Sequence, residues 1–284
     1  MATEQVKIEF DPKGMPFRRL GSSGLRVPVF SLGGWLTLGG TVVGDPEIIK
    51  VAYENGINMF DTAETYAKGK SEIEMGRVIK ELGLRRTDLI ISTKIFWGPR
   101  DGPNDKGLSR KHIIEGTRES LARLQLDYVD ILFAHRYDVT VPMEEVVRAF
   151  SWVIDQGWAY YWATSEWSAR DLEEAIQIAD KLGLHKPVAE QCQHNMFHRE
   201  RPEKEYAPTH LALAWVAKNP NTSTVILGAS RPEQVVDNLQ ALAVIPKLTP
   251  EILAEVEEIL GNRPEGYPTY GRPALDAYGR DPIF

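Results

Sequence analysis

Short apolar runs alternate with longer stretches whose apolar positions recur every three or four residues, almost from end to end of the chain. The short runs predict strands over residues 29–33, 57–61, 89–94, 129–135, 159–165, 188–192 and 223–227. The amphipathic stretches predict helices over 46–54, 71–81, 109–124, 143–156, 168–181, 209–218, 232–241 and 250–260. Local chemistry sets several boundaries. Pro46 falls in a first turn, where its missing N–H costs nothing. Ser109 and Ser168 are placed as N-caps, and Gly183 as a helix stop. Ahead of these units, Arg18-Arg19-Leu20-Gly21-Ser22-Ser23-Gly24-Leu25-Arg26-Val27 reads as a hairpin about a Ser-Gly turn.

Strands that alternate with helices form βαβ units and a parallel sheet, either closed into a barrel or open and doubly wound. The open form needs a glycine-rich phosphate turn after its first strand. Here Gly33-Gly34 is followed by the bulky Trp35. Residues able to do chemistry instead recur at successive strand ends: Asp61, Lys94, His135, Ser165 and Gln191. That recurrence predicts an α/β fold of the (β/α)8 TIM-barrel kind, with its site at the C-terminal face and the hairpin capping the bottom. One domain spans residues 1–284, with a core at 16–262 and a Pro/Gly/Tyr-rich tail at 263–284. The strand count falls one short. A βα unit takes roughly 30 residues, and only about that many separate the runs at 188–192 and 223–227, so the seventh unit is expected to be missing near residues 201–208. Either a segment there is disordered or removed, or the chain carries a natural deletion. A seven-stranded parallel barrel would leave sheet edges uncovered.

Composition narrows the setting. With 43% hydrophobic and 26% charged residues in 284, the chain reads as an ordinary globular protein. A net charge of −7 argues against nucleic acid as a partner. No apolar run approaches the length of a membrane span, and residues 1–12 lack a signal-peptide core, so membrane insertion is not expected. The single cysteine, Cys192, excludes an intrachain disulfide and a cysteine-rich metal site. It is placed as a buried apolar filler, and a reducing cytoplasmic location is expected.

The candidate chemistry centres on Asn58-Met59-Phe60-Asp61-Thr62-Ala63-Glu64-Thr65-Tyr66 and on Lys94 at the end of the next run. An ammonium beside a phenol favours phenolate and lowers a pKa that is ordinarily near 10. Lys94, held by Asp61, is therefore expected to make Tyr66 a proton donor. A neutral imidazole on His135 would orient a substrate carbonyl, and no second ligand accompanies it at metal-site spacing. Carbonyl reduction also needs a hydride, which no side chain supplies, so a nicotinamide cofactor is implied. Ser165 and Gln191 are placed to hold its carboxamide. The segment Gly228-Ala229-Ser230-Arg231 opens a helix that can take an anion, with Ser230 and Arg231 suited to the 2′-phosphate of NADP and Asp237 and Asn238 to adenine. Trp35, Trp97, Trp158, Trp162 and Trp167 lie at or near strand ends; most are read as core, Trp35 is counted with the cofactor-binding residues, and Trp97 is taken as the aromatic wall of the substrate pocket. For any one of these residues a cap, a surface pair or a packed aromatic is an ordinary alternative; their occurrence at consecutive strand ends favours a site.

At this point the chain resembles the aldo-keto reductase superfamily, and within it the branch of the voltage-gated potassium channel β subunits and their microbial and plant relatives. The likeness covers nearly all of residues 16–262. It is carried by Phe60-Asp61-Thr62-Ala63 with Tyr66, Gly69-Lys70-Ser71-Glu72, Thr93-Lys94-Ile95-Phe96-Trp97-Gly98, Gly107-Leu108-Ser109-Arg110-Lys111-His112-Ile113, Leu126-Asp127-Tyr128-Val129-Asp130 and Leu227-Gly228-Ala229-Ser230. The resemblance implies NADPH-dependent reduction of aldehydes or ketones to alcohols, with a tetrad at Asp61, Tyr66, Lys94 and His135. It implies carboxamide contacts from Ser165 and Gln191, and adenosine-end contacts from Ser230, Arg231, Gln234, Asp237 and Asn238. It also implies a small-molecule carbonyl substrate and a homo-oligomer, by analogy a tetramer. Three positions depart from the branch: His135 stands where the channel subunits tend to carry Asn, Glu166 where relatives often have Asn or Arg, and His194 where Tyr is usual. The missing seventh unit would remove a Trp-Ser-Pro-Leu type segment that stacks on nicotinamide. Two alternatives remain. One is a redox-sensing channel β subunit with weak or vestigial catalysis and the channel as partner; the other is a truncated, catalytically dead barrel.

Overall fold

The computed structural model describes residues 8–35, 37–38, 46–195, 212–219 and 221–262. The junction expected near 201–208, the start of the helix predicted over 209–218, and the tail at 263–284 lie outside the described residues. The chain begins with an antiparallel hairpin of β1 (Phe17–Arg19) and β2 (Arg26–Pro28), with Arg18 opposite Val27. Then strands and helices alternate: β3 (Phe30–Gly33), α1 (Pro46–Glu54), β4 (Met59–Asp61), α2 (Lys70–Leu82), β5 (Ile90–Ile95), α3 (Arg110–Leu124), β6 (Val129–Ala134), α4 (Met143–Asp155), β7 (Ala159–Ser165), α5 (Ala169–Leu182), β8 (Glu190–Gln191), α6 (Ala212–Lys218), β9 (Val225–Leu227), α7 (Pro232–Leu239), α8 (Ala241–Val244) and α9 (Pro250–Leu260).

Strands β3 to β9 form one parallel sheet in the order β8-β7-β6-β5-β4-β3-β9. Among the described residues β8 and β9 are its two ends and do not pair. Residues of both line the same internal cavity, so the sheet curls round toward itself as a barrel wall.

The alternation of side chains along each strand sorts them into two layers. Phe60, Ile91, Leu132 and Trp162 face the helices in one large cluster, whereas Met59, Ile90, Ile131 and Ala163 face inward with Leu20 and Val27 of the hairpin. The hairpin therefore plugs the bottom, as expected. The same parity carries upward. Asp61, Lys94, His135 and Ser165 stand an even number of residues beyond those inward-facing positions, so each enters the barrel interior at the C-terminal edge.

Two close approaches fix the outer layer. A Cβ at Gly76 of α2 would lie 2.1 Å from the Leu124 carbonyl oxygen, so α2 and α3 touch backbone to backbone with no room for a methyl group. Arg18 of the hairpin donates to the carbonyls of Asn219 (3.1 Å), Thr222 (2.7 Å) and Ala217 at the C-terminal end of α6. Ala217 is in the last turn of α6 and the other two carbonyls lie just beyond it, so the guanidinium satisfies a helix-end acceptor and meets the negative end of the helix dipole.

Candidate active site

Lys94 and Asp61 meet at the ends of neighbouring strands, because β4 and β5 pair in parallel register. Lys94 is wholly buried and its Nζ donates to Asp61 Oδ2 and, at 2.8 Å, to the Thr62 carbonyl. Ser92 Oγ donates to the other Asp61 oxygen at 2.6 Å. A buried ammonium is tolerated only when paired and bonded in this way. Its Nζ lies 5.0 Å from the centre of the Tyr66 ring.

Tyr66 opens a short 3-10 turn, Tyr66–Gly69, in which Ala67 (φ 49°) and Lys68 (φ 55°) both take left-handed conformations. Non-glycine residues pay of order 1–3 kcal/mol each for such angles, and packing must hold them. Gly69 (φ +85°) lets the turn close onto Arg123, whose Cδ would stand 2.9 Å from an added Cβ. Across the cavity His135 meets the Tyr66 ring edge-on at 5.8 Å and 79°, while Trp35 lies at 6.4 Å and 30°.

The ionisation of these groups differs in one respect from the sequence expectation. Burial raises the Tyr66 phenol above its ordinary value, outweighing the downward pull of Lys94. The expected net lowering is not what the fold produces; Lys94 offsets part of a larger desolvation cost. His135 is lowered to about 3, by burial first and then by the cations of Lys94 and Arg136, so it is neutral at physiological pH. Its buried Nδ1 has no hydrogen-bond partner among the described residues.

A cavity of about 690 Å³ runs from Leu20 and Gly21 at the hairpin up to Trp35, Tyr66, His135, Ser165 and Gln191. Ser165 Oγ accepts from Arg136 at 3.2 Å. Gln191 Nε2 is buried without a partner among the described residues, a donor waiting for an acceptor inside the cavity. Cys192 also lines the cavity and is half-buried, not a core filler. Trp162 and Trp167 are buried as core, whereas Trp35 is 67% exposed at the cavity rim. Trp97 packs edge-on against Phe96, is 44% exposed, and does not line the cavity.

The segment after β9 stands apart from the cavity wall, which ends at Gly228. Gln234 Oε1 accepts from Ser230 N (2.7 Å), Ser230 Oγ (3.0 Å) and Arg231 N (3.2 Å), closing the start of α7 on itself. Arg231 and Asp237 are exposed; Asn238 is half-buried.

Sequence reasoning gave no role to four residues that the fold places in or under this site. Arg136 lines the cavity beside His135. Glu190 sits on β8, with its carboxyl pushed up to about 7 by burial, and accepts from Thr164 Oγ1 at 2.5 Å and Trp167 N at 3.3 Å. Glu64 and Glu72 are fully buried beneath the Tyr66 turn. Glu72 accepts from Thr93 Oγ1 (2.5 Å) and Arg123 Nε (2.6 Å), which gives the Gly69-Lys70-Ser71-Glu72 run a structural meaning. Among the described residues no group of acids, histidines and cysteine is arranged to hold a metal, and no helix is long and apolar enough to cross a membrane.

Similarity to known proteins agrees with this geometry. The model of the Aldo/keto reductase family matches residues 44–209 and 202–261, two pieces that overlap at residues 202–209. A probable voltage-gated potassium channel subunit beta of Arabidopsis thaliana is 40% identical over 328 residues, covering 90% of this chain and all of the relative. The corresponding Oryza sativa subsp. japonica protein is 38% identical over 328 residues with the same coverage. A putative voltage-gated potassium channel subunit beta of Schizosaccharomyces pombe is 43% identical over 330 residues, covering 90% of this chain and 96% of the relative. Nine-tenths of 284 residues, about 256, is thus spread over 328 aligned positions, which leaves about 70 of them facing no residue of this chain. The crystal structure of a thermostable aldo-keto reductase in complex with the inhibitor epalrestat superposes with a TM-score of 0.71 at 25% identity, covering 86% of this chain and all of that one.

Proposed function

Because the chain belongs to the aldo/keto reductase family, we propose that it reduces aldehydes or ketones to alcohols with NADPH, using Tyr66 as proton donor. Family and fold support an oxidoreductase. The observation that carries the finer reading is the fully buried Lys94–Asp61 pair beneath the Tyr66 ring, with a neutral His135 edge-on to it. A nicotinamide cofactor, when bound, supplies the hydride. The unpartnered Gln191 amide, with Ser165 beside it, suits a carboxamide. Ser230, Arg231, Gln234, Asp237 and Asn238 would hold the adenosine end, with the Ser230 and Arg231 donors that now bond Gln234 Oε1 turning to an anion.

The residues themselves divide the proton chemistry. Burial keeps the Tyr66 phenol protonated at neutral pH, so the acid is loaded. As negative charge develops on a carbonyl oxygen, Tyr66 Oη gives up its proton and the Lys94 ammonium stabilises the phenolate left behind. Asp61 holds Lys94 at that point. His135, uncharged, hydrogen-bonds and orients the carbonyl without competing as an acid.

Tyr66→Phe is expected to lower kcat/KM by roughly 10²–10⁴-fold while cofactor binding, followed by fluorescence, is unchanged. A Phe variant with wild-type turnover would remove this mechanism. Arg231→Ala is expected to weaken NADPH binding on the order of tenfold or more, from one lost charged hydrogen bond, and to leave NADH binding as it was.

The relatives are named as potassium channel beta subunits, which favours a second reading as a channel-binding β-type subunit; in that reading we take it to be a redox-sensing regulator with weak or vestigial catalysis. Co-purification with a channel, together with turnover far slower than cofactor exchange, distinguishes it.

A further inference from the structure

Glu64 lies two residues before Tyr66 and is fully buried. Its Oε1 accepts three hydrogen bonds: from Phe96 N at 2.7 Å, Gly98 N at 3.0 Å and His112 Nε2 at 3.1 Å. A carboxylate is a strong acceptor of backbone N–H, so this one atom joins the loop after β4, the loop after β5 and helix α3. Its Oε2 is buried with no partner among the described residues. It faces the space left by Gly116, where an added Cβ would stand 3.1 Å from that oxygen. The next turn of the chain holds Ala67 and Lys68 in left-handed conformations that their own side chains disfavour. Something outside the turn has to hold it, and Glu64 is the buried anchor on its N-terminal side.

We propose that Glu64 is a positioning residue for Tyr66: by fastening the Tyr66 turn to the Phe96–Gly98 backbone and His112, it sets where the phenol hydroxyl stands above Lys94. The role depends on acceptor geometry at Oε1, not on charge. The inference deepens the reductase reading and rests on it for its kinetic consequence. Its structural content is independent, because the Tyr66 ring can be observed without turnover.

The substitutions separate geometry from charge. Glu64→Gln keeps an acceptor at Oε1 and replaces the unpartnered Oε2 with an amide nitrogen. Glu64→Ala removes the anchor. Gly116→Ala leaves every polar group in place and presses on Oε2. In ring-labelled tyrosine NMR, with Tyr66 assigned by its loss in Tyr66→Phe, the Tyr66 signal is expected to shift in Glu64→Ala and Gly116→Ala and to stay in place in Glu64→Gln. In turnover, Glu64→Ala is expected to lose kcat on the order of 100-fold, the cost of a displacement of about 1 Å, with KM and cofactor Kd little changed; Glu64→Gln stays near wild type. Should Glu64→Ala fail to fold, the Gly116→Ala shift decides. An unmoved Tyr66 signal in the folded variants, or a Gln variant as damaged as Ala, overturns the proposal. Wild-type protein with no carbonyl reductase activity overturns the reductase reading instead, and the NMR comparison still decides the role of Glu64.

Discussion

His135 sits in a buried wall with two cations, Lys94 and Arg136, and that placement ties its protonation to stability. Its imidazole is held at about 3, against an ordinary 6.5. Between those values the unfolded chain binds a proton that the folded chain refuses, so stability falls as pH drops below 6.5. From pH 7 to pH 5 the loss from this one group is about 2 kcal/mol. His135→Asn is expected to flatten that limb of a denaturant-melting series; an unchanged acid slope would show that His135 is not so placed. Glu190 works in the opposite sense. Its folded value of about 7 lies above the ordinary 4.5, so the folded state holds its proton longer and stability is lost as pH rises from 4.5 through 7. Glu190→Gln should therefore be more stable than wild type above pH 7, with the difference gone below 4.5. Neither effect was legible in the sequence. Asp61, Lys94 and His135 announce themselves by ending apolar runs, but the burial that sets a pKa comes from neighbours brought in by other strands. Glu64 was hidden for the same reason: a carboxylate in a loop looks solvated until the fold closes over it.

At the scale of elements, most strands were legible because each is an apolar run that becomes buried on both faces, as β5 and β6 show from end to end. β8 is shorter than its run. Only Glu190–Gln191 form a regular ladder, yet Val188 N still bonds the Trp162 carbonyl at 3.0 Å and Thr164 N the Ala189 carbonyl at 3.0 Å. The predicted helix starts at Ser109 and Ser168 appear as side-chain caps. What periodicity does not reveal is where two helices come too close for a side chain. Gly76 in α2 is such a place. Gly→Ala in a helix ordinarily stabilises by about 1 kcal/mol, but here the methyl would enter the Leu124 carbonyl. Gly76→Ala is expected to destabilise by about 1–3 kcal/mol, the usual cost of overpacking, as read from a urea melt; a more stable variant would mean that α2 and α3 are free to separate. Since α3 also carries His112 and Arg123, the partners of Glu64 and Glu72, moving it would disturb the Tyr66 turn from below.

For the whole molecule, the sequence predicted a parallel barrel with its chemistry at one rim, because strand parity and strand ends are local properties. It also led to the expectation of a missing unit near residues 201–208, the stretch in which the two pieces of the family match overlap. It did not predict how the first residues meet the last third of the chain. Arg18 finds its three carbonyl acceptors at sequence separations of 199 to 204. Arg18→Ala leaves those acceptors without their cation, and limited proteolysis followed by mass spectrometry should show faster cleavage around α6 while the β5–β6 region stays protected. Equal cleavage rates would show that the contact adds nothing. For a chain emerging from the ribosome the arrangement imposes an order of events. The basal hairpin is made 204 residues before Thr222, so its guanidinium must wait in water until that residue has been synthesised, and only then can the floor and the far wall of the molecule lock.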